Sequence, residues 1–436
     1  MLTTHNSTGT QLHSLYEVFV RHPVVTTDSR NCPPGSMFVA LKGATFNGNA
    51  FAANALEQGC SCAVVDEADY ARAGDSRYIL VDDCLSTLQD LARHHRRTLG
   101  TRVIGITGTN GKTTTKELIA TVLGKRYNVL YTQGNLNNHI GVPQTLLRLN
   151  RGHDIAVVEM GANHPGEIRQ LVDIAQPDYG LITNVGRAHL EGFGSFEGVK
   201  NTKGELYDYL AANGGTAFIN TCDADLTAMA ADRGLSGCIS YVGGEVTSCT
   251  PFLNFSWQSR EPDHERRYDV HTHMIGSYNL PNMLAAATVG CHFGVAGKDI
   301  SAALADYIPS NNRSQMMVTE HNRLIVDAYN ANPTSMAAAL TNFRDMQADG
   351  KMLILGEMGE LGAAGRQEHI KITDLIAACG FDDVWLVGKS WPAGSYTLFS
   401  DINELRRAIA ANRPQGKCIL IKGSHSTRLY ELPPLL

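Results

Sequence analysis

A chain of 436 residues with 43% apolar and 18% charged residues has the composition of a folded globular protein, and its length suits about three domains. Its formal charge of −6, without a block of basic residues, excludes a nucleic-acid or anionic-membrane partner recruited by bulk electrostatics. No apolar run reaches membrane-span length and the start Met-Leu-Thr-Thr-His-Asn lacks the charged-then-apolar order of a secretory signal. Ten cysteines without a Cys-x-x-Cys complete the expectation of a cytoplasmic protein with reduced, mostly buried thiols.

Residues 1–98 read as a small α/β domain. Residues 37–41 and 63–65 are strand signals, 50–58 is helical, and Pro33-Pro34-Gly35 turns the chain after the polar patch Thr27-Asp28-Ser29-Arg30. Ala92-Arg93-His94-His95-Arg96-Arg97 is the solvated end of a helix. A boundary follows near Gly100.

Residues 99–311 repeat a strand-loop-helix unit, which predicts a mostly parallel sheet with ligands at the carboxyl ends of its strands. The most informative stretch is Val103-Ile104-Gly105-Ile106-Thr107-Gly108-Thr109-Asn110-Gly111-Lys112-Thr113-Thr114, followed by a helix over 117–123 that Gly124 closes. A buried strand, a glycine turn and a helix in that order aim backbone N–H groups and a helix dipole at an anion. The strict P-loop pattern needs Gly at position 106, where Ile stands, so this is a variant with glycines at 105, 108 and 111. Lys112 is expected at the phosphates, and the Thr113 hydroxyl at Mg²⁺, a hard cation that prefers oxygen.

Further strands deliver Glu159 and, past Asn184, Gly186-Arg187-Ala188-His189; a carboxylate and an imidazole at strand tips beside a phosphate loop could complete a metal site. The amide-rich run Asn135-Leu136-Asn137-Asn138-His139-Ile140-Gly141 reads as a ligand-facing loop. Lys203 lies within a helical stretch, where a lone lysine is usually solvated. Asn279 and Asn282 stand at a helix mouth, where capping accounts for at least one of them. Residues 312–436 carry a second α/β pattern, with strands near 323–328, 351–356, 383–388 and 418–423, and read as a small Rossmann-like doubly wound domain. Its first strand ends in Asp327-Ala328-Tyr329-Asn330-Ala331-Asn332-Pro333 and its last in Lys422-Gly423-Ser424.

The phosphate loop, Glu159, His189, the Lys203 helix, Asn279-x-x-Asn282, Arg313 and Asp327 fall in an order that resembles the Mur ligases across nearly the whole chain. The resemblance implies three domains: 1–98 for the UDP-substrate, 99–311 as the central P-loop ATP-binding domain, and 312–436 as the C-terminal ligase domain. Asn135-Leu136-Asn137-Asn138, Glu159-Met160-Gly161-Ala162-Asn163 and Tyr329-Asn330-Ala331-Asn332-Pro333 resemble the members that join D-alanyl-D-alanine to UDP-N-acetylmuramoyl-tripeptide with ATP, in peptidoglycan synthesis.

From the same resemblance, Lys112, His189 and Lys203 are the expected catalytic residues, and Thr113, Glu159, His189 and a carbamylated Lys203 the expected Mg²⁺ ligands. Gly108, Thr109, Asn110, Gly111, Lys112, Thr113, Thr114, Asn279, Arg313 and Asp327 are expected at the nucleotide, with Asn279 at adenine and Asp327 at the ribose. Ser29, Arg30, Asn135, Asn137, Asn138, Tyr329, Asn330 and Asn332 are expected at the substrates, and a monomer is expected. Two departures stand out: Asn47-Gly48-Asn49 where relatives commonly carry Asp-Gly-His, and His425 where Arg is usual. Another ligase of the same fold and a P-loop switch are the alternatives. The chain lacks the Asp-Asn-Pro-Arg motif of the diaminopimelate-adding type, and Asn201-Thr202-Lys203-Gly204 fails the guanine-binding Asn-Lys-x-Asp pattern.

Overall fold

The computed structural model describes residues 8–260, 265–309 and 313–436. The N-terminal Met-Leu-Thr-Thr-His-Asn and the boundary expected at Asn311-Asn312 lie outside the described residues. The chain forms two compact units: Met1–Ile106, Tyr127–Gly161 and Glu167–Gly180 make the first, and Thr107–Arg126, Ala162–Gly166 and Leu181–Leu436 the second.

In the first unit, Val25–Thr26, Met37–Val39, Cys62–Val65 and Tyr78–Leu80 form a four-stranded sheet in that order, every pair parallel. Cys62–Val65 is buried at all four positions, as a parallel strand covered on both faces must be. The helix Cys84–Leu99 starts where the Asp83 carboxylate accepts the Ser86 N–H at 2.6 Å, and it stops at Gly100, whose φ of 67° is readily reached by glycine. Arg102–Thr107 pairs parallel with Ile155–Glu159, which pairs with Val129–Tyr131. All five residues of Ile155–Glu159 are buried, so this strand carries a carboxylate into the interior at its tip.

In the second unit the helix Lys112–Leu123 begins five positions earlier than its sequence suggests. The threonine run 113–115 has weak intrinsic helix propensity, and its burial overrides that preference. The helix Leu280–His292 lies against it so closely that a Cβ on Gly290 would fall 2.5 Å from Val122 Cγ1. One element departs from the expected strand-loop-helix repeat. Gly244–Cys249, Phe252–Arg260 and Glu265–Ile275 form an antiparallel three-stranded sheet. The reason is a period of two: Leu253, Phe255 and Trp257 point inward on the middle strand, and Trp257 stacks on Tyr268 at 5.3 Å.

The C-terminal sheet runs in the order Gln315–Val318, Arg323–Asp327, Cys418–Lys422, Lys351–Gly356, Val384–Val387, Thr397–Phe399, parallel except for the first strand. Alternate residues feed two cores. Ile325, Leu353, Leu355 and Leu420 pack with Leu340, Phe343 and Ile376, whereas Leu324, Val326, Ile354 and Ile421 pack with Leu405 and Ile409. Each such side chain contributes roughly 1.5–3 kcal/mol when removed from water. Helices on both faces make this the doubly wound arrangement expected, and an α/β fold with parallel sheets is borne out. All ten cysteines are free thiols, but only four are buried, and Cys222 and Cys238 are exposed, contrary to the mostly buried set expected.

Candidate functional site

The phosphate loop is shaped from the second unit's own residues. Gly108 has φ of 138°, and a Cβ there would fall 2.0 Å from Thr183 Oγ1; Gly111 has φ of 80° and ends the turn directly before Lys112. The tip of the strand Tyr179–Ile182 then holds the loop. Asn110 N–H donates to Asn184 Oδ1 at 3.0 Å, Asn184 Nδ2 donates back to the Asn110 carbonyl at 3.0 Å, and Thr183 Oγ1 donates to that same carbonyl at 2.6 Å. Thr109 Oγ1 accepts the Gly186 N–H at 2.9 Å. Lys112 Nζ reaches back over the loop to the carbonyls of Gly108 at 2.8 Å and Thr109 at 3.0 Å. Thr113 and Thr114 are buried in the first helical turn. The result is a rigid ring of backbone with an ammonium across it, an arrangement suited to polyphosphate.

Asn279 occupies the cap position of the helix Leu280–His292 but makes no capping bond. Its Nδ2 donates to the Ile275 carbonyl at 2.9 Å and its Oδ1 accepts from Asn282 Nδ2 at 2.8 Å, while Asn282 Oδ1 accepts from Thr115 Oγ1 at 3.1 Å. The capping expectation for this pair therefore gives way to a buried amide relay that ties two helices together.

At the C-terminal sheet, Asp327 and Lys422 end adjacent parallel strands, and Lys422 Nζ donates to Asp327 Oδ2 at 2.5 Å. Lys422 is 2% exposed. Asp327 Oδ1 also accepts the Ser314 N–H at 3.4 Å, and the Arg313 guanidinium lies 3.9 Å from the Tyr329 ring centre. Asn330 Oδ1 accepts the Ala331 N–H at 2.8 Å. Asn332 caps the helix Pro333–Asp345 through Ser335 N–H, and its side chain also meets Asn110. His425, the residue that departs from the family's usual Arg, stacks on Tyr430 at 4.9 Å.

His189 sits in the left-handed region with φ of 51° and its Nδ1 pairs with the Glu360 carboxylate, itself at φ of 61°. The hydrogen bond from His189 holds the Glu360 carboxyl below its usual range. Lys203 corrects the expectation of a solvated side chain: it is 2% exposed, with Nζ donating to the Ala162 carbonyl at 3.2 Å and lying 5.2 Å from the Phe193 ring centre. The helix Phe196–Asn213 turns that face inward, next to buried Val199, Leu206 and Tyr207.

In the first unit, Glu159 is 1% exposed and its Oε1 accepts from Asn137 Nδ2 at 2.8 Å. Asn138 is used locally, its Oδ1 accepting the Ile140 and Gly141 N–H groups at 3.1 and 2.8 Å. Asn135 supplies its carbonyl to Asn137 N–H at 2.7 Å. Gln144 Nε2, just beyond this run, donates to Thr27 Oγ1 at 2.8 Å, so the amide-rich loop and the Ser29-Arg30 loop are neighbours. Arg30 is exposed and bound to Asp28 at 2.8 and 2.9 Å, which holds the Asp28 carboxyl down at about 2. The Asn47-Gly48-Asn49 departure is also explained. Buried Asn49 donates to Asp66 Oδ1 at 2.7 Å and accepts the Asp66 N–H at 2.9 Å, while Asn47 Nδ2 donates to Glu67 at 2.9 Å.

Asn184, Thr183, Gln144 and Glu360 were absent from the residues picked by sequence. Asn184 alone carried a signal, as a polar residue ending an apolar strand. Among the described residues no group of three or more His, Cys, Asp or Glu side chains gathers as a metal site. Thr113, in the first turn of its helix, offers a hydroxyl oxygen, the donor chemistry that Mg²⁺ prefers.

A glycine-turn phosphate loop on a parallel α/β scaffold, followed by a doubly wound C-terminal module, defines a P-loop-type α/β protein. The chain matches the Mur ligase family catalytic domain over residues 23–96, the Mur ligase middle domain over 106–290 and the Mur ligase glutamate ligase domain over 312–425. It is similar to the UDP-N-acetylmuramoyl-tripeptide--D-alanyl-D-alanine ligases of Bacillus subtilis, at 35% identity over 97% of this chain and 95% of that one, and of Escherichia coli, at 36% over 94% and 92%. A crystal structure of MurF from Acinetobacter baumannii superposes with a TM-score of 0.84 at 30% identity, covering 97% of both chains. The chain belongs to the Mur ligase family.

Proposed function

We propose that the chain is an ATP-dependent, ADP-forming ligase that joins D-alanyl-D-alanine to UDP-N-acetylmuramoyl-tripeptide in peptidoglycan precursor synthesis, acting as a cytoplasmic monomer. The observation that carries this reading is the phosphate loop, with Lys112 spanning it and Thr113 in the first helical turn; near-full-length similarity to ligases of that name supports the substrates. Residues 1–98 bind the UDP-substrate, 99–311 the ATP and 312–436 complete the ligase, a division supported by the three matched segments.

A carboxylate is a poor electrophile because oxide cannot leave. A tripeptide carboxylate oxygen therefore attacks the γ-phosphorus and ADP departs, giving an acyl phosphate; the D-alanyl-D-alanine amine attacks the acyl carbon, phosphate leaves with the carbon–oxygen electrons, and the amine loses a proton. Lys112 offsets the negative charge as carboxylate and phosphate approach. Mg²⁺ would be held by Thr113, Glu159, His189 and a carbamylated Lys203, and would supply further charge compensation. The carbamate forms when the neutral Lys203 amine attacks carbon dioxide and releases a proton. Ser29, Arg30 and the amide-rich loop, brought together through Thr27 and Gln144, serve the UDP-tripeptide.

The test is an ADP-release assay with mass analysis of the UDP-peptide product, run on protein equilibrated with ¹³C-bicarbonate. ADP and the extended peptide should appear in equal amounts only with both substrates present, Lys112→Ala should lose at least about 10²-fold in rate, and a carbamate carbon resonance should vanish in Lys203→Arg. Equal ADP release without substrates would overturn the ligase reading. Absence of the resonance in active protein would overturn the carbamate alone.

A further inference from the structure

The side chains of Asn110 and Asn332, separated by 222 positions in sequence, form a reciprocal amide pair. Asn332 Nδ2 donates to Asn110 Oδ1 at 2.7 Å, and Asn110 Nδ2 donates to Asn332 Oδ1 at 3.4 Å. The orientation of Asn332 is fixed independently, because its Oδ1 also accepts Ser335 N–H at 2.9 Å as the cap of the helix Pro333–Asp345. Asn110 has no slack either, since its backbone is bonded to Asn184 and Thr183. The first turn of the capped helix also approaches the segment that holds the loop, where a Cβ on Gly186, whose N–H donates to Thr109 Oγ1, would fall 3.2 Å from Thr334 Oγ1.

We infer that Asn332 is a positioning residue: its amide clamps the phosphate loop to the C-terminal segment, so that nucleotide binding at the loop and seating of that segment are coupled, and it does not bind substrate. This rests on the loop being the nucleotide site. An amide is suited to the task because it donates and accepts at once and adds no negative charge beside a phosphate-binding loop. Ligand binding draws on the coupling because a loop already fixed loses less freedom when the nucleotide arrives.

Capping and clamping can be separated. A serine at 332 keeps an oxygen for Ser335 N–H but cannot span to Asn110, whereas alanine loses both. The experiment measures ADP affinity by calorimetry, melting temperature without nucleotide, and KM for UDP-tripeptide, on full-length wild type, Asn332→Ser, Asn332→Ala, Asn110→Ser and the Asn110→Ser/Asn332→Ser double variant. Asn332→Ser should bind ADP about tenfold more weakly and melt slightly below wild type, because two hydrogen bonds between neutral groups are lost while the helix cap is kept. Asn110→Ser should match it, the double variant should also lose about tenfold because both changes remove one interaction, and Asn332→Ala should melt lower still. The inference is overturned by wild-type ADP affinity in Asn332→Ser and Asn110→Ser, by additive losses of about 10²-fold in the double variant, or by a raised KM for UDP-tripeptide with unchanged ADP affinity. A wild-type protein that binds no ADP would instead remove the nucleotide reading beneath it.

Discussion

The phosphate loop and the tip of the C-terminal sheet both end parallel strands at ligand-binding positions, but they are held by different chemistry. Hydrogen bonds between neutral groups of Asn110, Asn184, Thr183, Thr109 and Gly186 tie the loop to the neighbouring strand tip, and the Lys112 ammonium lies across the loop carbonyls. The sheet tip is held by an ion pair between buried Lys422 and partly buried Asp327. A loop fixed by neutral groups keeps the positive field of its N–H groups available for phosphate. A charge-balanced tip has little net attraction for an anion, but it orients a carboxylate that can accept from hydroxyls. The difference can be broken from either end.

Lys422→Ala should have the largest effect on stability. It leaves Asp327 partly buried without its partner, a change that typically costs about 3–5 kcal/mol. Urea denaturation should show that loss, and adding Asp327→Asn to a Lys422→Met background should recover most of it; an unaltered midpoint in Lys422→Ala would mean the pair is energetically idle. Asn184→Ala should cost less, about 1–3 kcal/mol, because Asn110 loses both a donor and an acceptor but no charge is stranded. The same denaturation series checks it, and a loss as large as that of Lys422→Ala would erase the distinction between the two tips.

The smallest effect is expected at the exposed pair Asp28–Arg30. Here Arg30 lowers the Asp28 carboxyl to about 2, against roughly 3.9 for the unfolded chain. A depressed carboxylate contributes stability that is present above the unfolded value and is lost as pH falls from about 4 toward about 2, but screening by the solvent around this surface pair keeps that contribution small. In Arg30→Ala, NMR titration should show the Asp28 midpoint moving up toward the ordinary carboxylate value with little change in melting temperature. An unmoved midpoint would assign the depression to something other than the guanidinium.

What could be read from the sequence follows the range of each interaction. The phosphate loop was legible because its strand, its glycines and Lys112-Thr113 are contiguous, and the C-terminal strands were legible because apolar runs of parallel strands stand out between helices. The antiparallel sheet over 244–275 was missed within a region dominated by strand-loop-helix repeats, although Leu253, Phe255 and Trp257 carried its alternation. The burial of Lys203 has no local signature, because a lone lysine on a helix gives no sign of what will cover it. Asn279 looked like a cap, since an Asn at a helix start is ambiguous until its partner Asn282 is seen to use it. The Asn110–Asn332 pair had no sequence signal at all, because only the fold brings positions 222 apart into contact.

Delivery of the γ-phosphoryl group of ATP from the loop to a carboxylate, as proposed, is tested most directly by isotope transfer. UDP-N-acetylmuramoyl-tripeptide labelled with ¹⁸O in its acceptor carboxylate is turned over with ATP and D-alanyl-D-alanine, and the released phosphate is analysed by mass. An acyl phosphate requires one labelled oxygen to leave with each phosphate formed. Phosphate free of label, alongside normal peptide product, would contradict the account.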